Sequence, residues 1–232
     1  MRDSRLLQRA RARDSMRAMP KKKKIKEKKK PAKPAKKTKS KAKPKPQKIS
    51  KDFQGLSVKQ IAARVREHLL QAGYDPVLTG RACAAVYVGP KVAAKSLDFV
   101  LKEYEVPELA DTMRAIGFNR SGLYTYEGKK SPLDVIFSPP PLAVGDDMIR
   151  NVDEIKVRGG SIKLLTPTDC TRQRLSMYYR WGDREAFEEA VEMALAFDVD
   201  MDLIKRWSDW EWCADRYEDF EKELNARKNT KL

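Results

Sequence analysis

Pro76-Val77-Leu78-Thr79-Gly80-Arg81-Ala82-Cys83-Ala84-Ala85-Val86-Tyr87-Val88-Gly89-Pro90, followed after four residues by Lys95-Ser96-Leu97-Asp98-Phe99-Val100, is the stretch on which the fold turns. Pro76 to Thr79 is a short apolar run that stops at Gly80. Arg81 to Val88 reads as a short helix broken at Gly89-Pro90, and Lys95 to Val100 as a second strand. Residues i and i+2 of a strand share a face, so two acids at that spacing can hold a divalent ion against phosphates. Here the i position is Ser96 and only Asp98 is acidic.

Outward from this unit, the chain divides into two unlike pieces. Residues 1–50 carry 22 of the 49 Lys and Arg and only three acids, Asp3, Asp14 and Glu27, a net of +19. The remainder, with 27 basic and 30 acidic residues, nets −3, so the pI of about 9.7 describes a tail and not a basic domain. Lys21 to Lys48 is built of Lys, Pro and Ala, with Ile25 its one larger apolar residue. Such a segment cannot bury enough surface to offset chain entropy, and residues 1–51 are expected to be a disordered basic tail. The tail suits a polyanion without reading its sequence, which makes nucleic acid its expected partner, bound independently of the domain.

Several function classes are excluded. The apolar runs fall far short of the ~20 residues a membrane span needs, and nothing resembles a secretory signal. Cys83, Cys170 and Cys213 are isolated and lack metal-ligand spacing, so a reducing cytoplasm is the expected location. His68 is the sole histidine, which removes most histidine-dependent hydrolases and histidine-built zinc sites.

Two regions follow the tail: an α/β domain over 52–165 and a helical region over 166–228 packed on it. Ser57-x-x-Gln60 is a capping box ahead of apolar residues at helical spacing, closed by Gly73. Pro107 to Ile116 suits a helix with proline in its first turn and Gly117 at its end. Leu123 to Glu127 and Leu133 to Phe137 read as strands about the Gly128-Lys129-Lys130 turn. Val152 to Val157 and Ser161 to Leu165 flank Gly159-Gly160 as a hairpin. Thr166-Pro167-x-Asp169 opens a helical series that continues over Asp183 to Ala196 and, as one helix, Met201 to about Ala226. In that last helix Trp207, Trp210, Cys213, Ala214, Tyr217, Phe220 and Leu224 are expected to form a buried stripe. Ser138-Pro139-Pro140-Pro141-Leu142, with Gly145-Asp146-Asp147, reads as a stiff loop shaping a rim or a partner contact. No internal repeat is evident.

Thr79-Gly80, Leu97-Asp98-Phe99-Val100, Leu133-Asp134-Val135, Leu164-Leu165-Thr166-Pro167-Thr168-Asp169 and Arg174-Leu175 through Tyr179-x-Trp181-x-Asp183 occur in a telling order. With these residues the chain resembles the nucleotidyltransferase-like proteins of the DNA polymerase β superfamily over roughly 56–225. The bacterial minimal nucleotidyltransferases and abortive-infection nucleotidyltransferase toxins are the nearer likeness. The resemblance implies a mixed α/β (α+β) sheet with flanking helices and a C-terminal helical region. It implies that Gly80 admits a triphosphate at a helix N-terminus, where Arg81 stands in the place of a second small residue. The family's paired carboxylates fall on Ser96 and Asp98, and its third on Asp134. By that resemblance Asp98 and Asp134 are the catalytic and Mg²⁺-binding candidates, while Gly80, Arg81, Ser96 and Arg174 are nucleotide-binding candidates. Arg174 reads equally as an ion-pair partner of the acids in 183–192, and Arg81 as a solvent-facing first-turn arginine.

Two functions stay open. One is Mg²⁺-dependent transfer of a nucleoside monophosphate from an NTP to an unknown acceptor. The other is a catalytically inactive module that senses nucleotides, binds a protein, or neutralises a toxin in a two-protein system. Ser96 favours the second, because a neutral hydroxyl holds a dication poorly; the retained Asp98, Asp134 and Gly80 favour the first.

Overall fold

The computed structural model describes residues 50–102 and 106–230. The expectation of a disordered tail over 1–51 therefore falls outside them but for its last two residues. The described residues form one unit. In chain order it contains α1 (Val58–Gln71), β1 (Val77–Thr79), α2 (Gly80–Val88), a 3₁₀ turn, β2 (Ser96–Val100) and α3 (Val106–Ala115). There follow β3 (Phe118–Arg120), β4 (Thr125–Gly128), β5 (Asp134–Ser138), β6 (Ala143–Val144), β7 (Asp147–Met148), β8 (Val152–Val157) and β9 (Gly160–Leu165). Helices α4 (Pro167–Trp181), α5 (Arg184–Ala196), α6 (Met201–Trp210) and α7 (Ala214–Thr230) complete the chain.

Local chemistry sets the helix ends. Ser57 caps α1 in a reciprocal box with Gln60, Thr166 caps α4 ahead of Pro167, and Asp183 and Asp200 cap α5 and α6 through Ala186 N–H and Leu203 N–H. Each such cap contributes about 1 kcal/mol by satisfying an amide that the helix leaves unpaired.

Seven strands join in the order β3-β4-β5-β2-β1-β9-β8. The centre is mixed: β2 runs antiparallel to β1 and parallel to β5, and β1 runs parallel to β9. Along β2 and β5 burial alternates. Leu97, Phe99, Val135 and Phe137 are fully buried in the core that also takes in α1, α2 and α3, while Ser96, Asp98, Asp134 and Ile136 on the other face are only partly covered. That alternation is the period of two expected where one sheet face meets helices. A second apolar cluster, centred on Leu175, Phe187, Ile204 and Phe220, holds α4 to α7 together.

Charge ties the sheet to α1. Arg66, 4% exposed, reaches Asp75 at 2.9 Å, Glu154 at 3.2 Å and the Ser161 hydroxyl at 2.6 Å, joining α1 to the β8–β9 hairpin. His68 has a structural partner, its Nε2 lying 2.8 Å from the Thr112 carbonyl oxygen on α3.

Four expectations need correction. The helix expected over Met201 to Ala226 is two helices, because the backbone turns at Trp212 with a left-handed φ of 59°. Trp210 leaves the expected stripe and is 75% exposed, whereas Trp207, Tyr217, Phe220 and Leu224 are buried. The proline-rich loop carries a two-stranded ladder, β6–β7. Phe118–Arg120 adds an edge strand beyond β4, and Leu123, expected within a strand, is 64% exposed.

Candidate functional site

Three polar side chains share the half-covered face at the centre of the sheet. Ser96 and Asp134 are direct register partners on the parallel strands β2 and β5, and Asp98 lies one pleat further along β2. The Ser96 hydroxyl donates to Asp98 Oδ1 at 3.2 Å. Burial pushes the Asp98 carboxyl above the usual range, against the hydrogen bond from Ser96 and the positive field of Arg174 and Arg81. Asp134 is raised too, first by burial and then by the nearby charge of Glu127.

The turn from β1 into α2 presses on this group. Gly80 has φ +67°, and a Cβ there would stand 2.5 Å from Asp98 Oδ2. Glycine is thus required twice, for its left-handed backbone and for the close approach of the carboxylate. Thr79, the residue preceding α2, uses its hydroxyl on the Asp98 carbonyl at 3.1 Å and makes no side-chain cap to the helix. The Gly80 N–H instead donates to Gln173 Oε1 of α4 at 2.6 Å.

The two arginines face α5. Arg81 pairs with Glu185 and Glu189, each at 2.7 Å, so it is neither directed to solvent nor open to a new anion without exchange. Arg174, 5% exposed, lies 3.5 Å from Glu189 through Nε, an ion pair without hydrogen-bond geometry. Glu189 is itself buried, and burial raises its carboxyl despite Arg174 and Arg81. Arg174 thus occupies the ion-pair position among the acids of 183–192, while its field still reaches Asp98.

Gln173 and Glu189 are the residues that sequence reasoning missed. Gln173 sits between two arginines with nothing in its own neighbourhood to mark it. Glu189 had a faint signal, one of four acids (Glu185, Glu188, Glu189, Glu192) at helical spacing on α5, but only the packing of α2 on α5 singles it out.

Asp98, Asp134 and Ser96 offer two carboxylates and a neutral hydroxyl. No group of three or more His, Cys, Asp or Glu able to hold a metal occurs among the described residues. Two carboxylates and a hydroxyl carry too little negative charge for a closely spaced pair of Mg²⁺ ions.

No protein-family model matches the chain, and no curated protein matches it. Among solved structures it is similar to an antigenic nucleotidyltransferase-like protein from Paracoccidioides brasiliensis, with a TM-score of 0.48 at 16% identity over 61% of this chain and 77% of that one. No helix among the described residues is long and apolar enough to cross a membrane.

Proposed function

We propose that this chain is a nucleotidyltransferase-like protein whose site binds a nucleoside triphosphate and is not equipped for two-metal nucleotidyl transfer. The observation that carries the reading is the Ser96–Asp134 register pair beside Asp98, set against the Gly80 turn. The turn provides the amide donors of a helix N-terminus for phosphate, once Gln173 yields the Gly80 N–H. Arg81 and Arg174 add a positive field and stay anchored on Glu189. Asp98 and Asp134 would hold one Mg²⁺, which when bound neutralises phosphate charge. Ser96 withholds the anionic oxygen that a second ion needs.

Calorimetric titration of NTP with and without Mg²⁺, on the unmodified protein and on Ser96→Asp, tests this. The expected result is binding that depends weakly on Mg²⁺ in the unmodified protein and gains about tenfold from Mg²⁺ in the variant, because a second carboxylate offsets cation dehydration. Tight Mg²⁺-dependent binding by the unmodified protein, unimproved by Ser96→Asp, would overturn the assignment of this strand.

A second reading, single-metal transfer to an unknown acceptor, draws on the retention of both Asp98 and Asp134 on one face. Incubation with α-phosphate-labelled NTPs, Mn²⁺ and cell lysate separates the two: a labelled product lost in Asp98→Asn favours transfer. Without transfer, the module would act as a nucleotide sensor or through a protein partner, including neutralisation in a two-protein system. For residues 1–50 the proposed partner is nucleic acid, held by charge alone.

A further inference from the structure

Gln173 has two neighbours. Its amide oxygen accepts the Gly80 N–H, and the same side chain lines a groove of about 550 Å³ between α4 and the β6–β7 hairpin. Gln173, Ser176, Met177 and Arg180 line one side of this groove at i, i+3, i+4 and i+7, a single face of α4. That face leads away from the Gly80 turn for about 10 Å of helix axis. Across from it stand Pro141, Val144, Gly145 and Met148.

The hairpin wall is fixed, not draped. Arg172 of α4, 2% exposed, holds Asp147 at 2.5 Å, and its guanidinium lies 5.1 Å from the ring centre of Trp207. At the far end Arg180 pairs with Glu211 at 3.5 Å. Gly145 packs so closely on Glu211 that a Cβ would come within 1.8 Å of its Oε1. The groove is of the size that takes a small organic ligand. Its lining is mixed: Met148 and Met177 are 53% and 36% exposed, and Gln173, Ser176 and Arg180 supply hydrogen-bonding groups along one edge. Thioethers pack adaptably on aromatic rings, so such a lining is chemically compatible with a flat, polar-edged ring.

The geometry points to this groove as the binding place for the nucleoside part of a nucleotide whose phosphates sit at the Gly80 turn, with Gln173 at the junction of the two parts. This rests on the triphosphate reading of Gly80, and inorganic tripolyphosphate, which has no nucleoside, separates the two. Binding of ATP and of tripolyphosphate is measured by calorimetry on the full chain, on Met177→Trp, which fills the groove from its exposed edge, and on Leu123→Trp, which adds bulk at another exposed position. Met177→Trp is expected to weaken ATP at least tenfold and leave tripolyphosphate within twofold, with Leu123→Trp changing neither and thermal midpoints unaltered. If ATP and tripolyphosphate both bind the unmodified protein and Met177→Trp weakens neither, the nucleoside lies elsewhere and the groove assignment is wrong while the phosphate site stands. If tripolyphosphate does not bind the unmodified protein, the Gly80 phosphate site falls and this groove with it. Equal weakening of both ligands by Met177→Trp also overturns the assignment, since it would mean the groove holds phosphate.

Discussion

Gly80 and Asp98 constrain each other. The left-handed φ of +67° at Gly80 and the 2.5 Å approach of the Asp98 carboxylate to a would-be Cβ both exclude a side chain. Gly80→Ala is expected to cost about 1–3 kcal/mol, read as a lower midpoint in thermal or urea unfolding. Asp98 shows the opposite sign. Its folded-state pKa is raised by burial, so ionisation is penalised in the native state and the penalty grows as pH rises through the folded value. Asp98→Asn keeps an acceptor for the Ser96 hydroxyl and removes the buried charge. It should therefore stabilise by about 1 kcal/mol, roughly 3 °C for a domain of this size, while weakening any Mg²⁺ contribution to NTP binding. An unchanged or lower midpoint for Asp98→Asn would show that burial does not penalise this carboxylate. Gln173→Ala frees the Gly80 N–H, and tripolyphosphate affinity measured by calorimetry is expected to rise, because the ligand no longer displaces the amide oxygen.

At the scale of elements, the α6–α7 corner is the place where the chain departs from its own periodicity. Trp212 is 93% exposed and adopts φ 59°, a conformation costing an ordinary L-residue about 1–2 kcal/mol. Helical spacing alone cannot announce such a turn, because Met201–Trp210 and Ala214–Thr230 each keep a good apolar stripe. Trp212→Asn is expected to stabilise the fold by about 0.5–1 kcal/mol, since asparagine tolerates the left-handed region and little buried surface is lost. A denaturant midpoint that falls in this variant would mean the exposed indole has a packing role. The sheet elements were far more legible. The capping box of α1, the glycine turn into α2 and the Gly159-Gly160 hairpin are each encoded within a few residues of one another. The β6–β7 ladder was not, because two-residue strands carry too little pattern to read.

Across the whole molecule, charge works in two separate ways. In the described unit, Arg66 and Lys163 hold Asp75 at 2.9 and 2.6 Å. Burial pushes the Asp75 carboxyl up, but the bonds to Lys163 and Arg66 outweigh it and hold it below its ordinary value. A depressed folded pKa means stability that is present above the unfolded carboxylate range and lost as pH falls through the folded value. Thermal unfolding of the unmodified protein and Asp75→Asn should therefore differ at pH 6, with the gap narrowing as pH falls below the reference carboxylate range; a gap that does not narrow in acid would count against this account. Residues 1–50, by contrast, concentrate a net of +19. Deleting them is expected to remove most salt-sensitive DNA binding in a filter or fluorescence assay, since counterion release scales with the phosphates neutralised. Equal, salt-insensitive binding by the truncated chain would place the nucleic-acid site in the domain instead.

Much of the element order is legible in the sequence, apart from β3, the β6–β7 ladder and the break between α6 and α7, and so is the candidate polar trio. Period-two burial over 96–100 and 134–138 specifies strands, and glycines at 80 and 159–160 specify where they turn, since these signals are local and only glycine adopts such backbones cheaply. The sequence also marks Ser96 as a neutral residue at the position where the resemblance expects an acid. What those side chains meet follows from packing. The register that sets Ser96 beside Asp134 comes from parallel pairing of strands 38 residues apart in sequence, between Ser96 and Asp134. The capture of Gly80 N–H by Gln173, and of Arg81 and Arg174 by Glu189, depends on how α4 and α5 pack against α2. Hydrogen bonds and ion pairs act over a few ångströms of space whatever the separation along the chain, so no local pattern records them.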